Sequence, residues 1–150
     1  MTVTKASLQS DLTGAIRAQD KVRAGTLRMA LTAITVEESA GAHRELSSHE
    51  VLKVLAREAK KRREAAAAYQ EAGRPELLEV ERAELAILQE YLPQQLDEAA
   101  VAAIIEEVVA RSGATGMAQL GQVMKAVQAT VAGRADGKVV AGLVRARLTS

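Results

Sequence analysis

Three short interruptions set what this chain can become. Tyr91-Leu92-Pro93, the stretch from Gly113 to Met117, and Gly133-Arg134-Ala135-Asp136-Gly137-Lys138 break a sequence that otherwise repeats its apolar residues at helical spacing. Proline disfavours helical geometry at the residue before it, and glycine serves where the backbone must turn. No strand-like alternation competes with the helical period. The pattern predicts an all-α fold of helices joined by short turns.

The first helix is expected over residues 5–19, with Leu8, Leu12, Ala15 and Ile16 on one stripe. The second spans 21–38, through Leu27, Leu31 and Ile34, and Gly41 ends that region. Ser47 stands three residues before Glu50, a capping box that opens a long helix over 48–72. Gly73 stops it, and Pro75 suits the first turn of a fourth helix reaching residue 90. Beyond Pro93, Asp97 caps a helix over 98–112 whose apolar side is Val101, Ile104, Ile105, Val108 and Val109. A short helix follows over 117–130, and Asp136 caps a last one over 137–148. The joint at Pro93 predicts an N-terminal domain of about four helices, residues 1–92, and a small three-helix C-terminal domain, residues 93–150.

The core has to be aliphatic, because Phe, Trp and Cys are absent and Tyr occurs twice. Without cysteine there are no disulfides, thiol nucleophiles or cysteine–zinc sites, which fits a cytoplasmic protein. The segment Met1-Thr2-Val3-Thr4-Lys5 carries no apolar region of a signal peptide. No apolar run approaches the roughly 20 residues of a membrane helix, so no membrane partner is expected. Net charge is only +1, but it is unevenly spread. Residues 76–100 carry a net of −6 and residues 111–150 a net of +5. Such a basic end can meet a polyanion, or it can balance the acidic middle.

Four constellations bear on chemistry. In the long helix, Lys53, Arg57, Lys60 and Lys61 share a stripe with Glu64, opposite Val51, Leu55, Ala59, Ala66 and Tyr69. That stripe reads either as a solvated face laced by charge pairs or as a phosphate-contacting face. Arg62 breaks the pattern by projecting into the apolar side, where an unpaired guanidinium would cost several kcal/mol. Glu81 and Glu84 lie on the apolar side of the fourth helix with Leu77 and Leu88, so a structural pair between Arg62 and Glu81 or Glu84 is expected. The same two glutamates could form half of a carboxylate metal site, but neither His43 nor His49 stands at the required spacing, so no metal is expected.

The loop from Gly133 to Lys138 combines glycines, a helix start and two bases, yet it is not a Walker loop. Only three residues separate its glycines, and Val139 follows the lysine where Ser or Thr is needed. It reads as a tight turn or as a phosphate contact. On the last helix, Lys138, Ala141, Gly142 and Arg145 form a stripe opposite Val140, Leu143 and Val144, a flat cationic surface suited to a phosphate backbone. Lys125, Arg134, Lys138 and Arg145 are therefore the candidate phosphate contacts, with Lys60 and Lys61 a second surface. No catalytic motif is found, and no cofactor is implied. Two tyrosines cannot build a base-stacking platform, so any RNA contact would rest on charge and shape.

Several short stretches, in their order, resemble the YqeY family along nearly the whole chain. They are Asp20-Lys21 to Leu27-Arg28-Met29, Lys60-Lys61-Arg62-Arg63-Glu64, Tyr69 to Gly73-Arg74, Glu81, Glu84 and Tyr91-Leu92-Pro93. They continue with Gly113-Ala114, Gly116-Met117, Gly121-Gln122-Val123-Met124 and Gly133 to Lys138. Gln119-Leu120 departs from the more acidic or polar pair expected there. The family is related to the tail of GatB, the B subunit of the tRNA-dependent glutamine amidotransferase. The resemblance implies a helical protein with a small C-terminal tail domain, and a tRNA-contacting role without catalysis by this chain alone. It implies tRNA rather than DNA as the partner, or tRNA-charging or amidotransferase proteins. Two other readings stand beside it: an adaptor that docks proteins without nucleic acid, and an accessory to a glutamine-dependent carbon–nitrogen ligase.

Overall fold

The computed structural model describes residues 2–41 and 43–150. Among them are seven α-helices and no strand: α1 (Lys5–Arg17), α2 (Lys21–Ala40), α3 (Ser48–Glu71), α4 (Pro75–Gln89), α5 (Glu98–Ser112), α6 (Leu120–Val131) and α7 (Gly137–Thr149). A 3-10 turn, Met117–Gln119, leads into α6, so the helix expected to start at 117 begins with a tighter turn. Contacts along the chain divide it into two compact units, Met1–Leu92 and Pro93–Ser150.

Short polar side chains start most helices. Thr4, Asp20, Ser47, Asp97 and Asp136 each accept a hydrogen bond from a backbone N–H of the first turn they precede. At Ser47 the box is reciprocal, with Glu50 accepting from the Ser47 N–H at 3.1 Å. Helix ends follow the turn chemistry. Gly113 closes α5 at φ 68°, a left-handed conformation that glycine adopts without steric cost. The first helix stops at Arg17 rather than 19, because Gln19 itself takes a positive φ of 57°.

In the first unit the core is Leu8, Leu27, Ile34, Val51, Leu55 and Leu88, interleaved with Ala15, Ala24, Ala30 and Ala59. The alanines let α2 and α3 come close, and Leu12, Leu31, Leu85, Tyr91 and Leu92 pack at the margin. Ile16 departs from its expected stripe: half its surface is exposed, while Leu8 and Ala15 are the side chains of α1 that the core takes. In the second unit the core is nearly all valine: Val101, Val108, Val109, Val123, Val127, Val131, Val140 and Val144, with Ile105 and Leu148. Burying each such side chain contributes about 1.5–3 kcal/mol. Among the described residues, no helix is long and apolar enough to cross a membrane.

Candidate nucleic-acid interface

The valines of the second unit dictate where its cations go. Val140, Val144 and Leu148 are buried, so Lys138 and Arg145 stand on the outer face of α7 with the exposed Gly142 between them. On α6, Val123, Val127 and Val131 turn inward and Lys125 is exposed. Among the described residues, no side-chain hydrogen bond or ion pair engages Lys125, Lys138 or Arg145. The Asp136 carboxylate accepts from the Lys138 backbone N–H at 2.8 Å, so the cap of α7 is made through the Lys138 main chain.

Arg134 is placed differently. Its Nε donates to the Val131 carbonyl at 3.0 Å, and its Nη2 donates to the Thr130 carbonyl at 2.9 Å. It thus caps the C-terminus of α6, where carbonyls lack partners and a cation is favoured. The chain reverses there through Ala132 (φ 50°) and Gly133 (φ 79°), and the Arg134 carbonyl accepts from the Leu96 N–H at 2.7 Å. A phosphate at Arg134 would have to compete with two backbone carbonyls.

The unit boundary also changes the electrostatics. Counted from Pro93, the second unit holds six bases and five acids, because Asp97, Glu98, Glu106 and Glu107 precede residue 111. Its net charge is +1, and the basic character is a segregation onto α6 and α7 rather than an excess. Arg147 on α7 is engaged by Glu106 of α5 and is not a free contact.

The α3 stripe is exposed at Lys53, Arg57, Lys60, Lys61 and Glu64. Two of its bases are paired: Arg57 with Glu37 of α2 at 3.0 Å, and Lys61 with Glu58 at 3.1 Å. Lys60 has no partner among the described residues. Arg62 is largely buried between α3 and α4. Its Nε lies 2.7 Å from Glu84 Oε2 and 3.7 Å from Glu81 Oε2. Despite this approach Arg62 Nε makes no hydrogen bond, and Glu81 Oε2, at 3.7 Å, makes none either. The attraction is therefore mainly coulombic, and Glu84 carries more of it than Glu81. Arg62 Nη2 also reaches Met29 Sδ on α2 at 3.4 Å. His43 is exposed in the connection before α3, and His49 is exposed in its first turn.

Several ties had no sequence signal. Tyr91 Oη donates to Asp11 Oδ2 at 2.7 Å, joining the end of the unit to α1. Burial, then the hydrogen bond to Asp11, pushes the Tyr91 phenol up to about 12. Arg23 pairs with Glu90 at 2.8 Å. Lys5 pairs with Glu38 at 2.7 Å, and Glu38 also accepts from the Leu46 N–H. Gln119, the departure noted above, accepts from the Thr115 and Gly116 N–H groups at 3.3 and 3.0 Å, so its amide organises the turn into α6. The i,i+3 spacing of Gly116 and Gln119 was the signal that could have found it.

A family model described as Yqey-like protein matches residues 5–148, nearly the whole chain. The chain belongs to the YqeY family. No curated protein gave a significant match. Within this YqeY chain, the stretches that carried the resemblance fall into structural roles. Arg62, Glu81 and Glu84 hold α3 to α4, Tyr91 ties back to α1, and Arg134 caps α6.

Proposed function

We propose that this protein is a helical binding module that contacts tRNA, or a complex of tRNA with a charging or amidotransferase protein. Lys125, Lys138 and Arg145 contact phosphates, Lys60 and Lys61 form a second surface, and Arg134 adds its charge while capping α6. The two compact units act as separate domains, residues 1–92 and 93–150. The observation that carries the reading is that Lys125, Lys138 and Arg145 are exposed on α6 and α7, with no side-chain ion pair among the described residues, on a valine core that holds their backbones. Family membership and the relation of the family to the GatB tail support the choice of tRNA. The role is recognition, and no reaction step is assigned to the chain.

Fluorescence anisotropy with bulk tRNA, beside duplex DNA of equal length and charge, tests this. Saturable binding that prefers tRNA and weakens with salt supports it. Equal binding to DNA removes the preference for tRNA, and binding to neither removes the nucleic-acid reading and leaves the α6 and α7 bases as charge balance for α5.

A further inference from the structure

Met29 is where the open side of α2 meets the buried Arg62. Its side chain is 39% exposed, while Leu27 and Ala30 beside it are buried and hold that turn of the helix in place. Open grooves adjoin Met29 on both sides, one toward α4 and one toward α3. A molecule as small as hydrogen peroxide therefore has a route to the sulfur. Against that sulfur stands the Arg62 guanidinium, whose Nη2 donates to Met29 Sδ at 3.4 Å. Arg62 has a side-chain exposure of only 14%, and its Nε makes no hydrogen bond. A guanidinium carries five N–H donors, and a thioether is a weak acceptor. A largely buried cation short of acceptors thus faces a solvent-accessible, oxidisable sulfur.

Oxidation changes what that sulfur can do. Its lone pair takes one oxygen from hydrogen peroxide. The S–O bond forms, the O–O bond breaks, the sulfur gives up two electrons and the peroxide leaves as water. The sulfoxide is polar, and in a packed core it disrupts. At Met29 the consequence is different. The 3.4 Å contact places an oxygen on that sulfur within hydrogen-bond reach of Nη2, and the exposed part of the side chain loses little apolar contact. The sulfoxide has no net charge, so the attraction between Arg62 and Glu84 persists.

We propose that Met29 is a site of reversible peroxide oxidation whose sulfoxide accepts from Arg62, tying α2 to the clamp between α3 and α4. The inference is independent of the tRNA reading. Oxidation then strengthens the first unit instead of loosening it, and a methionine sulfoxide reductase with a thiol reductant reverses the change. Urea unfolding of the full chain before and after hydrogen peroxide tests it, with peptide mass mapping to show that Met29 has gained one oxygen. The midpoint of the first unit should rise by about 0.5 M urea, the effect of one hydrogen bond to a charged group less some lost apolar contact. Reductase treatment should return it. Met29→Leu keeps the other three methionines and should show no rise. Arg62→Lys keeps the charge but lacks Nη2, so there peroxide should lower the midpoint. Met29→Gln sets an amide oxygen near Nη2 without any oxidant and leaves the clamp intact, and it should unfold at higher urea than Met29→Leu. A midpoint that falls or stays still in the oxidised wild-type chain overturns the proposal. So does a folded chain whose Met29 resists peroxide, a rise that Met29→Leu shares, or a Met29→Gln chain no more stable than Met29→Leu.

Discussion

The two compact units reach stability by different means. The first mixes leucine, isoleucine and alanine in its core and adds polar ties across its helices: Arg62 to Glu84, Lys5 to Glu38, Arg23 to Glu90 and Tyr91 to Asp11. The second relies on valine, a stiff residue with modest helix propensity, so its helices depend on packing against one another. A side-chain tie between its helices joins Arg147 to Glu106. Charge placement fixes register in the first unit, and shape does so in the second. The polar side chains left over in the second unit are the ones available to a ligand.

The sharpest break of this contrast is Arg62→Ala. It strands Glu84 and Glu81 with little solvent, and we expect a loss of about 3 kcal/mol in urea unfolding of the first unit. Glu81→Gln should cost far less, because Glu81 lies farther from the guanidinium and its Oε2 makes no hydrogen bond. Equal losses would show that the two glutamates share the clamp evenly. In the second unit Val127→Ala should remove about 2 kcal/mol through lost burial and a residual cavity, with the loss confined to that unit's unfolding transition. Arg134→Ala comes next, at about 1 kcal/mol, from two lost hydrogen bonds at the end of α6. If it weakens tRNA binding as strongly as Lys138→Glu without changing stability, Arg134 is a phosphate contact rather than a cap.

Smaller effects follow pH and belong to the first unit. Glu50 is held at about 2, first by hydrogen bonds from Arg44 and then by the Ser47 backbone and side chain. Its carboxylate therefore supports the fold fully above the ordinary glutamate value of 4.5, and that support is lost as pH falls toward 2. Glu50→Gln should flatten the acid limb of the stability profile over that interval. At the other end, the raised Tyr91 contributes below 10, and its contribution is lost as pH rises through about 12. Tyr91→Phe should remove that alkaline dependence while sparing the acid limb.

The helices were legible because their breaks are local: Ser47 with Glu50, Gly73 with Pro75, and Asp97 and Asp136 each announce a terminus through nearby backbone groups. Arg62 was legible because a cation on an apolar stripe demands a carboxylate, and only α4 offered one on its own apolar side. Arg134 was not, because its partners are main-chain carbonyls exposed by a left-handed turn at Ala132, a residue that gives no such signal. Nor was the open face of α2. The stripe of Leu27, Leu31 and Ile34 dominates that helix's periodicity, and the exposure of Val22, Met29 and Val36 follows only from the packing. The charge balance of the second unit was legible too: the joint at Pro93 puts the acids of α5 with the bases of α6 and α7, and summed over 93–150 they nearly cancel.

The proposed role of Lys125, Lys138 and Arg145 is to meet phosphates. The measurement that reaches it most directly is the salt dependence of tRNA affinity for the wild-type chain and for a variant carrying Lys125→Glu, Lys138→Glu and Arg145→Glu. Losing three phosphate contacts should lower the log–log salt slope by roughly 2–3, with affinity falling in step. The Lys60→Glu, Lys61→Glu pair should change the slope less. An unchanged slope in the triple variant would show that these three bases do not contact phosphates.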